Sequence, residues 1–298
     1  MSVDFYGPSS NGRAMVSDTS LFRVMSSSPL FSKFVQSLCA EIQGHILPGA
    51  KAISLVKGFD CEGNHINLIS EYIRKTLGIE CSSLSGANVA EGVAKEQFSE
   101  TTIGYHPDDF ESAQVFQNLF DTPYFRVNAV ADVAGVEICG ALKNIIALAA
   151  GFCDGLKYGS NTKAAILRIG MYEMRKFAAM FYQGTIEEVF WDSAGFADLI
   201  TTCYGGRNRR CAEEFVKTGK SWHELEKTLL KGQKLQGTGT VRDVYAFLTG
   251  QGKREEFPLI TTVYEIVDCG KSPDSIVKVF MSSLPRAINK NRTPVAKL

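Results

Sequence analysis

The stretch Phe125-Arg126-Val127-Asn128-Ala129-Val130 decides the fold, because the hydrophobic pattern changes directly after it. The stretch itself is a short β-like run. From Asp132 onward the apolar residues follow helical spacing and predict one long helix that ends near Gly151. We therefore place a domain boundary near residue 131, with an α/β domain over residues 1–131 and an all-helical domain over residues 132–298.

Before this boundary, short apolar runs alternate with helical segments. This order is typical of a parallel α/β layer, in which ligands bind beyond the carboxyl ends of the strands. Lys57 and Asn88 each follow one of these runs, so we expect both side chains at the ligand-binding edge. The predicted strands cover 52–56, 81–84, 100–104 and 125–130, and the predicted helices among them cover 30–46, 67–77 and 108–120.

After residue 131 the sequence shows helical spacing and no strand signal. Residues 1–28 have no sustained period, and their Ser, Gly and Asn content predicts a poorly ordered segment. The predicted helices of the second part cover 132–151, 161–182, 185–194, 221–230, 240–248 and 272–281.

Bulk composition limits the classes of function. The chain has 298 residues and a formal net charge of +0, so nothing in its charge balance calls for nucleic acid or an anionic membrane. Its eight cysteines include no C-x-x-C pair and its four histidines lie far apart, so we expect no metal site and a reducing compartment. We also expect no transmembrane helix. The chain ends in Ala296-Lys297-Leu298, one residue away from a peroxisomal address, so a peroxisomal or glycosomal location is the alternative to the cytoplasm.

The segment 195–210 carries the clearest chemical signal. A lone acid, Asp198, is followed by a Gly-Gly turn and a basic cluster that begins with Arg207 and Asn208. Because glycines allow close backbone approach and a guanidinium meets a phosphate with two hydrogen bonds, this segment indicates a phosphate site. A solvated basic helix start is the alternative that the residues leave open.

Lys143 lies inside an apolar helical stretch. Burial lowers the pKa of a lysine, so Lys143 is a candidate acid/base near neutral pH. The alternative is a lysine whose ammonium reaches the surface. Asp198 is also an acid in an apolar setting, so a buried pair of Lys143 with Asp198 is a hypothesis that sequence alone does not test.

Six segments, taken in order, closely resemble the NAD-dependent glycerol-3-phosphate dehydrogenases of the eukaryotic cytosolic type, over about residues 30–285. The segments are ISLVKG (53–58), GANVA (86–90), EICGALKN (137–144), GFCDGL (151–156), ADLITTCYGGRN (197–208) and GQKLQG (232–237). The resemblance implies a Rossmann-like sheet followed by an all-helical substrate and dimerisation domain, with NAD as cofactor. It implies conversion of dihydroxyacetone phosphate and NADH to sn-glycerol 3-phosphate and NAD, and a homodimer.

The resemblance also implies roles for individual residues. Lys143 matches the catalytic acid/base, Lys57 a substrate contact that polarises the carbonyl, and Asp198 the partner of Lys143. Asn88 and Thr202 line the site. The positions that match the phosphate clamp are Arg207 and Asn208, and those that match the cofactor side are Phe34, Ala90, Arg207, Lys234 and Gln236.

The sequence departs from the family at its N-terminal end and, in a smaller respect, at Gly92, where the family tends to have an acidic residue. The family opens with a strand and a G-x-G-x-x-G turn that seats the cofactor pyrophosphate on a helix N-terminus, and this sequence contains no such turn. We therefore expect an N-terminally truncated member with a partial Rossmann-like sheet. A non-catalytic relative that serves as a phosphate-binding or dimerisation module is the alternative function.

Overall fold

The computed structural model describes residues 31–62 and 65–283, so the expectations for residues 1–28 and for the C-terminal tripeptide lie outside the described residues. The strands are β1 (Ala52–Ser54), β2 (Asp60–Glu62), β3 (His65–Asn67), β4 (Cys81–Ser85), β5 (Ser99–Gly104) and β6 (Phe125–Val130). The first helices are α1 (Phe31–Ile42), α2 (Ile69–Leu77), α3 (Ala90–Ala94), α4 (Phe110–Phe120), α5 (Val133–Gly155), α6 (Ser160–Phe181) and α7 (Glu188–Trp191). The later helices are α8 (Asp198–Gly205), α9 (Arg207–Thr218), α10 (Trp222–Leu229), α11 (Gln236–Gly250), α12 (Pro258–Asp268) and α13 (Ser275–Ser283).

Four strands form one sheet in the order β1-β4-β5-β6. The β1–β4 and β5–β6 pairs are parallel, but β4 and β5 are antiparallel, so the prediction of a parallel layer is wrong at this central pair. The connection from β4 to β5 contains only the five-residue helix α3. A helix of that length spans about 7 Å, whereas a five-residue strand spans about 17 Å, so the chain does not return to the starting edge before β5 begins.

Two other local predictions also differ from the structure. The helix predicted from residue 67 begins only at Ile69, because Asn67 belongs to an antiparallel hairpin of β2 and β3. The helix predicted over 185–194 is split into the short α7 and a π-helical turn, Ser193–Ala197, that leads into α8. At this turn a Cβ on Gly195 would lie 2.4 Å from the Phe190 carbonyl oxygen, so the close approach requires glycine.

The long helix α5 is the centre of the helical part. Every residue from Gly135 to Cys153 is buried, including Lys143. By length and composition α5 could cross a membrane, but 89% of its most apolar window is buried inside the protein. A helix that is apolar on all sides is typical of the core of a large domain, and α5 packs against α6, α8, α9 and α11. The last strand ends at Val130 and the described elements after it are helical, but the division into two domains at residue 131 stays a prediction.

Two buried glutamates cap helices that have no side-chain cap of their own. Glu137 on α5 accepts hydrogen bonds from the backbone N–H and the hydroxyl of Ser70, at the start of α2. Glu173 on α6 accepts from the backbone N–H groups of Leu259 and Ile260, at the start of α12. Burial raises the pKa of each carboxyl to about 7. Each glutamate therefore joins two helices, and burial disfavours the ionised form of its carboxyl group.

This arrangement predicts a pH dependence of stability that Glu173→Gln removes. The folded-state pKa of Glu173 lies above its unfolded value, so its contribution to stability is present below about pH 4.5 and is lost as the pH rises through about 7. The loss is about 2 to 3 kcal/mol for one group. Urea unfolding at pH 5 and pH 8 measures the free energy of unfolding. Relative to the unmodified chain, the free energy of unfolding of the variant should rise by about 2 to 3 kcal/mol between these two pH values. Glu255→Gln, at an exposed position, serves as the control, and an equal pH dependence in both variants would contradict the assignment.

Candidate functional site

The carboxylate of Asp198 gathers four side chains into one buried cluster. Its Oδ2 atom accepts a hydrogen bond from Lys57 Nζ at 2.9 Å and one from Ser85 Oγ at 3.2 Å. The ammonium of Lys143 forms an ion pair with the same oxygen. On the other side, Thr202 Oγ1 donates to Oδ1 at 3.3 Å. The hypothesis of a buried pair of Lys143 with Asp198 is therefore confirmed as a contact.

Four elements bring these groups together. Lys57 follows β1 and Ser85 is the last residue of β4, so both lie where these parallel strands end. Asp198 and Thr202 lie one turn apart on α8 and so share a face. On α5, a Cβ at Gly140 would lie 3.1 Å from Ser85 Oγ. The absence of a side chain at Gly140 thus lets α5 approach the end of β4, one turn before Lys143.

Burial governs the charges of this cluster. Desolvation lowers the pKa of Lys143 to about 7, and the neighbouring Lys57 ammonium acts in the same direction while Asp198 opposes both. For Asp198, burial favours the neutral acid, but the Lys57 and Lys143 ammonium groups outweigh it and lower the pKa of its carboxyl. The cluster thus combines an ionised acid with a lysine that gains and loses its proton near neutral pH, which suits acid/base chemistry.

Asn88 lies beyond the end of β4, on the same edge of the sheet as Lys57. Its side-chain Nδ2 donates to Thr101 Oγ1 at 3.0 Å, and the side chain is half-buried. The preceding Ala87 donates its backbone N–H to Ser193 Oγ at 3.2 Å. The loop that carries Asn88 is therefore fastened both to β5 and to the turn before α8.

Arg207 and Asn208 begin α9, but their side chains have different surroundings. Arg207 is exposed, and its guanidinium donates to Gln233 Oε1 at 2.6 Å. Asn208 is buried, where its Nδ2 donates to Asn144 Oδ1 at 2.8 Å and its Oδ1 accepts from the backbone N–H of Gly237 at 2.9 Å. Asn208 therefore joins α9 to α5 and α11, while Arg207 is the member of the pair that faces solvent.

The positions expected on the cofactor side are more scattered. Ala90 is the exposed first residue of α3, and Gln236 is the half-buried first residue of α11. The exposed Lys234 pairs with Glu226 Oε2 at 2.8 Å. Phe34 belongs to α1, and its side chain is outside what the structure describes. Among the described residues, the structure therefore brings Lys57, Lys143 and Thr202 into contact with Asp198, but it records no contact between that cluster and these positions.

Sequence reasoning missed Ser85 and Thr101, which contact the candidate residues Asp198 and Asn88. Their one signal was position: Ser85 directly precedes the Gly-Ala-Asn segment, and Thr101 lies on the neighbouring predicted strand.

A cavity of about 340 Å³ lies at the opposite edge of the sheet. Its lining includes Cys81 at the start of β4, His106 after β5 and Asp132 after β6. None of the candidate site residues lines it.

The chain matches two family models. Residues 23–111 match the NAD-dependent glycerol-3-phosphate dehydrogenase N-terminus, and residues 132–278 match the C-terminus of the same family. It is 49% identical over 250 residues to glycerol-3-phosphate dehydrogenase [NAD(+)] 2 of Schizosaccharomyces pombe, covering 83% of this chain and 67% of the relative. It is 51% identical over 235 residues to the cytoplasmic glycerol-3-phosphate dehydrogenase [NAD(+)] of Mus musculus, covering 78% and 67%.

The fold is also similar to a solved structure of Plasmodium falciparum glycerol-3-phosphate dehydrogenase. The TM-score is 0.80 at 47% identity, with 85% of this chain and 71% of that chain covered. The chain spans about two thirds of the length of the two curated relatives.

The buried cluster predicts that Asp198→Asn destabilises the fold. The change leaves the ammonium groups of Lys57 and Lys143 without their counter-charge in a desolvated site, which costs about 3 kcal/mol. Urea unfolding at pH 6 measures the change. Asp274→Asn removes a carboxylate from the solvent-exposed pair with Lys278 and is the matched control, with an expected change below about 1 kcal/mol. Equal changes in the two variants would contradict the structural importance of the cluster.

Proposed function

Because this chain belongs to the NAD-dependent glycerol-3-phosphate dehydrogenase family, whose cofactor is NAD, we propose that it interconverts dihydroxyacetone phosphate and sn-glycerol 3-phosphate. The observation that carries the proposal is the contact of Lys57 and Lys143 with the single carboxylate of Asp198. A ketone reduction needs a proton donor for the carbonyl oxygen, and a buried lysine with a pKa of about 7 suits that task.

In the proposed mechanism, Lys143 donates its proton to the C2 oxygen as C2 is reduced, and Lys57 polarises the same carbonyl. Bound NADH supplies the hydride. The product is the C2 alcohol, and Lys143 is left neutral until it recovers a proton. Asp198 holds both ammonium groups in place, and Thr202 orients its carboxylate through Oδ1. In the reverse direction, neutral Lys143 accepts the proton of the C2 hydroxyl.

The phosphate of the substrate is assigned to the start of α9. The backbone N–H groups in the first turn of a helix have no acceptor within the helix. In α9 the first backbone hydrogen bond of the helix is the one that Arg210 donates to the Gly206 carbonyl. These groups and the exposed Arg207 guanidinium attract a phosphate. Since both ends of the Asn208 amide already bond to protein groups, its main contribution is to hold α9, and its second N–H can still contact the phosphate.

The carboxyl edge of the sheet fits the nicotinamide end of the cofactor. Ala90 is small, exposed and two residues after Asn88, so its side chain leaves room for a flat ring beyond the end of β4. Gln236 begins α11 beside Gly237, which bonds to Asn208. We assign Ala90, Gln236, Lys234, Arg207 and Phe34 to the cofactor side on the resemblance of their segments.

A second candidate function rests on the sequence itself. No G-x-G-x-x-G turn is found in the 298 residues, so a chain that binds phosphate esters without turnover is the alternative. The enzyme assay described below separates the two functions.

We also propose that the chain is cytoplasmic, as the names of its mammalian relatives state for those proteins, and that it forms a homodimer. The exposed side chains of Phe196, Ile200 and Tyr204 follow each other at four-residue spacing beside exposed Trp191, and such an apolar stripe supports an isologous contact. Light scattering should give twice the monomer mass of 32.7 kDa, and a monomer mass at micromolar concentration would contradict the dimer.

Imaging of a tagged chain checks the cytoplasmic location. A signal confined to an organelle would contradict it.

The enzyme assay follows oxidation of NADH by the purified chain with saturating dihydroxyacetone phosphate. We expect Lys143→Ala to lower kcat by a factor of about 100 or more, because it removes the proton donor. Lys176→Ala removes a lysine that is paired with Glu256 and is not part of the Asp198 cluster, so it should have little effect.

The acid/base assignment also fixes the pH dependence. Lys143 must be protonated for ketone reduction, so kcat/KM for reduction should fall as the pH rises through about 7, and kcat/KM for glycerol 3-phosphate oxidation should rise over the same range. Binding of dihydroxyacetone phosphate without turnover, by a folded chain, would support the second candidate function instead.

A further inference from the structure

We propose that Thr101 on β5 is a positioning residue that fixes the Asn88 amide, so that the Asn88 Oδ1 atom accepts a hydrogen bond from the free primary hydroxyl of dihydroxyacetone phosphate. The inference rests on the proposed function. It assigns the recognition of one substrate group to a pair of residues, Thr101 and Asn88, of which only Asn88 was a candidate in the sequence analysis.

The contacts of Thr101 are short and buried. Its side chain is 1% exposed. Its Oγ1 lies 3.0 Å from the backbone carbonyl oxygen of Ser85 and 3.0 Å from Asn88 Nδ2. The Thr101 hydroxyl thus links the last residue of β4, Ser85, to the side chain of Asn88.

The chemistry of these groups sets the direction of both hydrogen bonds. A carbonyl oxygen only accepts, so the single hydroxyl proton of Thr101 is donated to Ser85. The Thr101 oxygen then has only lone pairs left, and its second partner must be a donor. Asn88 therefore points its NH₂ group at Thr101, and the opposite orientation of the amide would place two acceptors against each other. The orientation of Asn88 thus follows from the hydrogen-bond network.

The backbone around Asn88 has little freedom to change this contact. A Cβ on Gly86 would lie 2.5 Å from the Thr101 Cα atom, so the end of β4 is pressed against β5. The backbone N–H of Ala87 is held by Ser193, and that of Asn88 by the Gly86 carbonyl. Because Ser85 also donates its hydroxyl to Asp198, the Asn88 amide and the acid/base cluster are built on the same residue.

The orientation leaves Asn88 Oδ1 as an acceptor for which the described part of the chain records no donor. The charged groups proposed to contact the substrate are donors: the ammonium groups of Lys57 and Lys143 and the guanidinium of Arg207. They suit the carbonyl and the phosphate of the substrate, which accept. The primary hydroxyl is the one group of dihydroxyacetone phosphate that needs an acceptor, and the carboxylate of Asp198 already has Lys57, Ser85, Lys143 and Thr202 as partners.

The experiment compares dihydroxyacetone phosphate with hydroxyacetone phosphate, which has the same ketone and phosphate but a hydrogen in place of the hydroxyl. Thr101→Val keeps the shape of the side chain and removes its hydroxyl. We expect kcat/KM for dihydroxyacetone phosphate to fall by about tenfold, as for one lost hydrogen bond, and kcat/KM for hydroxyacetone phosphate to change by less than about threefold. Thr101→Ser restores the hydroxyl and should restore discrimination between the two substrates.

Two further variants show whether Thr101 acts through Asn88. In an Asn88→Ala background, Thr101→Val should cause no further loss with dihydroxyacetone phosphate. Thr102→Val is the matched control, because Thr102 is the next residue of β5, is equally buried, and bonds instead to Asp192 and Ala194. It should leave the ratio of the two kcat/KM values unchanged. An equal loss on both substrates in Thr101→Val, or additive losses in the double variant, would overturn the proposal.

A measurement without turnover separates this inference from the proposed function. NMR of the Asn88 side-chain amide reads the contact directly: its NH₂ protons should be protected from solvent exchange in the unmodified chain and in Thr101→Ser, and unprotected in Thr101→Val. If the unmodified chain shows no turnover of dihydroxyacetone phosphate, the proposed function fails, and protection of the amide still supports the positioning of Asn88 by Thr101. An unprotected amide in the unmodified chain overturns the inference whether or not the chain is active.

Discussion

The buried carboxylate of Asp198 is the interaction on which the rest of the site depends. Removing a carboxylate from water is costly, and the cost is offset only where opposite charges and hydrogen bonds surround the group. Here the lysines come from different parts of the chain, Lys57 from the end of β1 and Lys143 from the middle of α5, and Asp198 itself comes from α8. One charge therefore joins the end of the sheet to two helices of the helical part.

The same constraint gives Lys143 its chemistry. A lysine at the surface stays protonated at neutral pH, and a lysine that is well paired in a salt bridge is held protonated more firmly still. Lys143 differs because its single carboxylate is shared with Lys57, so pairing does not compensate for desolvation. In the proposed mechanism the Lys57 ammonium polarises the substrate carbonyl, and its charge also keeps Lys143 able to release its proton. Stability and reactivity come from the same set of contacts.

Sequence reasoning predicted the parts of the site that depend on regular patterns. An apolar helical period placed Lys143 in a buried helix, and the runs before Lys57 and Asn88 placed both residues at strand ends. The antiparallel pairing of β4 with β5 was not predictable, because it follows from the length of a connection whose helix has no clear period. Thr101 was not predictable either, since a single threonine in a strand has no spacing that distinguishes a core residue from a residue that orients a neighbour. Asn208 matched a phosphate clamp by resemblance, but only the structure shows that its amide bonds to Asn144 and Gly237.

The hydrogen bond between Asn208 and Asn144 joins the proposed phosphate site to the helix that carries Lys143. Asn144 follows Lys143 on α5, and Asn208 follows Arg207 on α9, so a 2.8 Å hydrogen bond joins the two packed helices beside the proposed proton donor and the proposed phosphate anchor. In the proposed mechanism, a phosphate held at the start of α9 places the substrate carbonyl at a fixed distance from Lys143. Aligning the reacting groups is among the largest costs of a bimolecular reaction. Binding energy from the phosphate therefore lowers the barrier only if the distance between the carbonyl and Lys143 does not vary. A buried amide pair between two packed helices meets this condition, whereas two flexible surface side chains would not.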